Sequence, residues 1–294
     1  MTNEAHAHGH GPHAHAHGDA GGDSWAEMGD LLDLDGDVLG GYLSDATAWI
    51  ADHAAGRPVR RILDVGAGTG TGAFALLERF EGSDVLAVDV SASLLGRLDV
   101  KARDLGVDDR VRTIEVDLDA TWPALEPVDL VWASSSLHHL ADPDLALSKI
   151  FRALRPDGLL AVTEMDSFPR FLPHDLGLGR PGLEDRCHAA MAGARAGQLP
   201  HQGSDWRSRI AGAGFDVRAA RDFTFELSTP LPDSAAGYAS ASLRKIRAGL
   251  GDLLEADDRA VLDALIDSDG PENALRRGDL VVRTSRSGWI ATRP

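Results

Sequence analysis

The 294 residues, 43% of them hydrophobic, suffice for one domain of roughly 200–250 residues with a smaller appendage. A formal charge of −17, from 46 acidic against 29 basic residues, argues against nucleic acid or an anionic lipid surface as partner. The single cysteine, Cys187, excludes an internal disulfide and a multi-thiolate metal site, and without a long apolar run or hydrophobic leader the expected location is the cytoplasm.

Residues 1–23 read as a disordered tail with little to bury, carrying His6, His8, His10, His13, His15 and His17. Such imidazoles hold divalent metal weakly, but no carboxylate or thiolate pattern completes a site. Residues 24–57 follow as two short amphipathic helices broken at Gly40-Gly41, in a region with nine acids and no lysine or arginine between Asp19 and Asp52. These helices are candidates to cover a ligand or to pack only. From 58 to 294 the pattern is that of one α/β domain.

In that domain RILDV (61–65) reads as a buried strand and 72–80 as a helix, then DVLAVDV (84–90) as a strand and 91–105 as a helix. RVRTIEVDL (110–118) and PVDLVWASSS (127–136) are the next strands, 142–154 a helix closed by RPDG, and GLLAVTEM (158–165) a fifth strand. This alternation specifies parallel strands joined by right-handed crossovers, with helices on both faces. An insertion at 166–200, part helical over 183–195, interrupts it; a helix at 204–213 and a strand at 215–227 resume it. Helices at 234–250 and 257–266 form a second insertion, 232–278, before strand material at 279–294 pairs with 215–227 at the sheet edge. Lys101, Arg103, Arg110 and Arg112 read as a solvated helix face and strand start.

Gly66, Gly68, Gly70 and Gly72 follow directly after the first strand, where the missing Cβ lets backbone approach a ligand. A P-loop is excluded, since no lysine or arginine lies between Arg61 and Arg79 to meet phosphates. The dinucleotide fingerprint fits only from Gly68, ending on Ala73, so an NAD-dependent oxidoreductase stays open as an alternative. Asp64, Asp89 and Asp117 each close a strand, one per strand–helix unit, and carboxyl strand ends are where open sheets gather ligands. Acids there suit a ligand with ribose hydroxyls, an ammonium and a sulfonium better than one with a pyrophosphate. Asp89 suits a ribose diol, which NAD enzymes share, and Asp117 with the Leu118 amide suits adenine.

ILDVGAGTGTGAFAL, VLAVDVS, IEVDL, VDLVWASSSLHHLADP and LRPDGLLAVTEM together resemble the class I S-adenosylmethionine-dependent methyltransferases of the small-molecule branch. The resemblance is strong over 61–165 and weaker over 204–227 and 279–292. It implies a Rossmann-like seven-stranded, mostly parallel sheet with an antiparallel last strand around Trp289, and S-adenosyl-L-methionine as cofactor. The motif D-x-G-x-G-x-G falls on Asp64, Gly66, Gly68 and Gly70, the ribose acid on Asp89 with Val90 beside it, and the third acid on Asp117. Ser134 falls where the family touches the methionine portion or adenine through backbone atoms. The insertions become an acceptor-side cap.

His138 and His139, leaving the fourth strand, are the candidate catalytic bases, because an imidazole can take the acceptor's proton as the methyl moves. Glu164 and Asp166 close the fifth strand in the same region, as candidates to bind an acceptor amine, to complete the pocket or to solvate the loop. His174, His188 and His201 lie in the insertion. No metal site is expected. The expected function is methylation of a small-molecule acceptor, at oxygen or else at nitrogen or carbon; a homodimer is left open, and a non-catalytic metal- or ligand-binding protein is the third reading.

Overall fold

The computed structural model describes residues 21–54, 56–195 and 199–294; the histidine-rich segment 1–20 lies outside them. Seven strands form one sheet in the order β3-β2-β1-β4-β5-β7-β6. They are β1 (Arg61–Val65), β2 (Asp84–Asp89), β3 (Val111–Glu115), β4 (Val128–Ser134), β5 (Leu154–Met165), β6 (Asp216–Leu227) and β7 (Val282–Thr292). β1 to β5 pair in parallel, and β7 enters antiparallel between β5 and β6. The sheet reverses its strand order at β1, next to β4, so a crevice opens above their carboxyl ends.

The central strands bury both faces, as near-continuous apolar runs require. Leu130 and Trp132 of β4 belong to one core, and Val131 and Ala133 to the other. The first core is covered by α1 (Gly21–Val38), α2 (Gly40–Ala54), α3 (Thr71–Arg79) and α4 (Ala92–Asp104). The second lies under α5 (Pro143–Ala153) and α7 (Trp206–Gly212). Helix starts follow capping chemistry: Ser91, Asp142 and Asp205 each accept a backbone N–H from the first turn.

Three expectations are corrected. β3 ends at Glu115 rather than 118, because its one neighbour, β2, ends opposite at Asp89; Asp117 therefore stands two residues beyond the strand. β5 begins at Leu154 rather than 158: Leu154 pairs with Val128, and Asp157, at φ 64°, returns the chain to pair with β7 through the Arg293 carbonyl. Lys101 and Arg110 are engaged rather than solvated, Lys101 with Asp33 of α1 and Arg110 with the Ser83 and Leu77 carbonyls.

The insertion 166–200 carries α6 (Leu183–Arg195) and is tied to β7 by paired backbone bonds between Arg170 and Arg283. Buried Glu184 accepts the Phe171 and Leu172 N–H groups; burial raises its carboxyl to about 7 against those bonds. α8 (Ser234–Leu250) and α9 (Ala256–Asp267) pack with α6 into the same core, forming a helical cap on the α1 side of the sheet. No described helix is long and apolar enough to cross a membrane.

Candidate active site

The turn after β1 is fixed by its glycines. Gly66, Gly68 and Gly70 have φ of 71°, 54° and 87°, the left-handed region that a Cβ disfavours. A Cβ on Gly66 would also stand 2.4 Å from Ser136 Cβ, so the turn lies directly on the segment that leaves β4. Ser136 completes that contact by donating from Oγ to the Val65 carbonyl at 2.7 Å.

Asp89 organises the turn from the neighbouring strand. One of its oxygens accepts the Gly68 N–H and the other the Ser91 N–H, both at 2.9 Å. Each oxygen keeps a lone pair for a further donor. Val90, next along, is 45% exposed, an apolar surface beside that acid. Asp117 is exposed and turned onto its own loop, accepting the Asp119 and Ala120 N–H groups, while Leu118 is buried.

Asp64 lies at the floor of the crevice, 2% exposed, with Oδ2 lacking a hydrogen-bond partner among the described residues. Burial, and then the nearby Asp89 charge, push its carboxyl up to about 8. Thr69 Oγ1 and Ser135 Oγ are likewise buried and unpartnered, and Ser135 stands at φ 52°. Neither was singled out in the sequence; the three serines at 134–136, polar residues where a buried strand ends, were the available signal. Ser134 Oγ accepts from Thr163 Oγ1 at 3.0 Å.

The two candidate bases differ in environment. His138 is 3% exposed and its Nδ1 lies 2.5 Å from Glu164 Oε2, while Glu164 Oε1 accepts the Leu137 N–H at 3.1 Å. A carboxylate on Nδ1 leaves the imidazole lone pair on Nε2. His139 is exposed, with its ring centroid 4.1 Å from that of His138. Glu164 therefore anchors the post-β4 segment rather than projecting into the cleft, and Asp166 instead accepts from Ser287 Oγ. His174 approaches Asp185 and His201 the Ala141 carbonyl.

α1 lies over this turn. Leu32 Cδ1 would stand 3.1 Å from a Cβ on Gly68, and Thr71 Cγ2 2.5 Å from one on Gly36. Asp30 and Asp33 bind Arg97 and Lys101 of α4, and Lys101 Nζ donates onward to the Thr69 carbonyl at 3.3 Å. Lys101, reaching the turn from α4, is thus neutralised by Asp33 and aimed at a carbonyl, an arrangement unsuited to phosphate. Among the described residues no group of three or more His, Cys, Asp and Glu is placed to hold a metal ion.

Sheet order, glycine turn and strand-end acids resemble those of class I S-adenosylmethionine-dependent methyltransferase domains. Residues 63–160 match the Methyltransf_12 family, a methyltransferase domain. The chain is 34% identical over 124 residues to the ubiquinone/menaquinone biosynthesis C-methyltransferase UbiE of Vibrio vulnificus, covering 42% of this chain and 47% of that protein. It is 35% identical over 103 residues to the tRNA 5-carboxymethoxyuridine methyltransferase of Escherichia coli, covering 35% and 39%. The chain thus spans less than half the length of these curated relatives. Its fold resembles the BH2331 protein of Bacillus halodurans, with a TM-score of 0.53 at 17% identity over 84% of this chain and 98% of that one.

Proposed function

We propose that the protein transfers the methyl group of S-adenosylmethionine to a small-molecule acceptor. The observation that carries this reading is the buried, unpartnered Asp64 carboxyl beneath the glycine turn. An unsatisfied buried carboxyl costs stability unless a donor meets it, and an ammonium on the ligand is a fitting donor. The residues fit the rest of the cofactor too. Asp89 retains lone pairs for a ribose diol, Val90 offers an apolar rest for adenine, and Asp117 with the Leu118 amide closes its edge. Thr69, Ser134 and Ser135 supply polar groups near the methionine portion.

When bound, the sulfonium supplies an activated methyl group. The protein's part is positioning and proton handling. Glu164 holds His138 with Nε2 as its basic nitrogen, the arrangement a general base requires, and exposed His139 beside it is the second candidate. The cap of α6, α8 and α9 with α1 closes over the acceptor and excludes water. The acidic surface supports a small acceptor over a nucleic acid.

Calorimetry with S-adenosylhomocysteine and NAD tests the cofactor reading. Binding of the first, lost by at least about tenfold in Asp89→Ala as a removed charge-assisted contact implies, is expected; tighter binding of NAD overturns it. His138→Ala and His139→Ala, assayed separately for methyl transfer at unchanged cofactor affinity, assign the base, and full turnover in both removes imidazole from the mechanism.

A further inference from the structure

Beyond the glycine turn, a second set of buried polar atoms stands without hydrogen-bond partners among the described residues: Tyr42 OH, Thr284 Oγ1 and Arg286 Nε. All belong to the α1–α2–α8 side of the sheet. Arg286 and Thr284 alternate on one face of β7, and the Arg286 guanidinium lies 4.7 Å from the centre of the Tyr42 ring. Arg286 pairs in register with Met165, at the carboxyl end of β5, and so lies at the crevice end of β7. A buried donor left unpaired is destabilising, so three together call for a ligand atom that accepts from them.

The charge at this place is already balanced. Arg286 Nη2 donates to both oxygens of Asp35 at 2.9 Å, and Tyr238 donates to Asp35 at 2.6 Å. A second anion would meet Asp35 as a like charge. What remains is Arg286 Nε, which only donates, and two hydroxyls that can donate as well, and together they fit an uncharged acceptor oxygen. A pocket of about 250 Å³ has Tyr42, Phe223 and Phe225 as aromatic walls that fit a ring, with the charged Asp45, Arg221 and Asp222 also lining it, and the two phenylalanines lie in register with Arg286 and Thr284. β7 stands two strands from β4, about 10 Å at ordinary strand spacing, so a molecule reaching both has the length of a fused-ring system.

We propose that Tyr42, Thr284 and Arg286 form the distal end of the acceptor site and bind a neutral carbonyl oxygen on a ring-bearing acceptor. Its assignment to the acceptor rests on the methyl-transfer reading; the oxygen site itself does not.

Tyr42→Phe and Thr284→Val remove only the unpartnered hydroxyls. Each variant is expected to keep or raise the melting temperature of the free protein and to retain S-adenosylhomocysteine affinity. Binding of 1-indanone and of indane to the cofactor-product-loaded full chain, followed by NMR, reads the site. The ketone is expected to bind about tenfold or more tighter than the hydrocarbon in the wild type, with the preference gone in the double variant. No preference for the ketone in the wild type, or a melting temperature several degrees lower in either single variant, overturns the proposal. Failure of S-adenosylhomocysteine to bind overturns the methyl-transfer reading instead, and the ketone comparison is then made on the free protein.

Discussion

Asp35 and Arg286 are 251 residues apart in the chain and joined at 2.9 Å, so α1 is locked to β7, the antiparallel strand between β5 and β6. Arg286 is 8% exposed at its side chain and Asp35 22%. Removing one member of such a pair strands the other, at about 3–5 kcal/mol. Arg286→Met and Asp35→Ala should therefore each lower the urea midpoint, and the double variant should lose less than the sum. Strict additivity in the double-mutant cycle contradicts a coupled lock.

Asp64 makes stability depend on pH. Its folded value of about 8 lies above the ordinary aspartate value of 3.8, so its contribution is fully present below about pH 4 and lost as pH rises to about 8. Asp64→Asn removes that loss. The variant's melting temperature should gain on the wild type from pH 5 to pH 8 and then run parallel, while its affinity for S-adenosylhomocysteine falls. A gap independent of pH between 5 and 8 contradicts the raised carboxyl.

Gly66→Ala meets both a positive φ and the Ser136 side chain, and Gly40 meets neither. Overpacking of this kind costs about 1–3 kcal/mol, so Gly66→Ala should destabilise while Gly40→Ala is neutral or stabilising in urea unfolding. Adding Ser136→Gly should restore part of the loss in Gly66→Ala. Equal effects at the two glycines contradict the close approach of turn and post-β4 segment.

Glu164 satisfies Leu137 and His138 together in a buried place. Glu164→Ala should cost several kcal/mol, about 3–5 by analogy with other broken buried pairs, and Glu164→Gln less, since its carbonyl still accepts one bond. His139→Ala, at an exposed ring, should leave the unfolding midpoint almost unmoved. Similar losses in Glu164→Ala and His139→Ala contradict the assignment of the anchor to Glu164.

The parallel core was legible because hydrophobic strands, glycine turn and helices recur in order from Arg61 to Met165, and each signal is local. The seven strands and the antiparallel last strand came from the family resemblance, while the strand order came from the tertiary structure, since periodicity alone does not say that β7 slips between β5 and β6. The glycines and Asp64 and Asp89 were legible for the same local reason. Ser135 and Thr69 were not, because a buried atom without a partner is a property of its surroundings.

The acids of α1 show the limit most clearly. In the sequence, Asp30, Asp33 and Asp35 were part of an acidic stretch without counterions; in the fold, Arg97, Lys101 and Arg286 are those counterions, brought from α4 and β7. Glu164 changed in the same way, from a candidate for the acceptor to a buried partner of His138. Periodicity and turn chemistry are written in neighbouring residues, so the sequence determined the elements and the glycine turn. Pairing between distant charges depends on which surfaces the sheet brings face to face, and only the tertiary structure decided that.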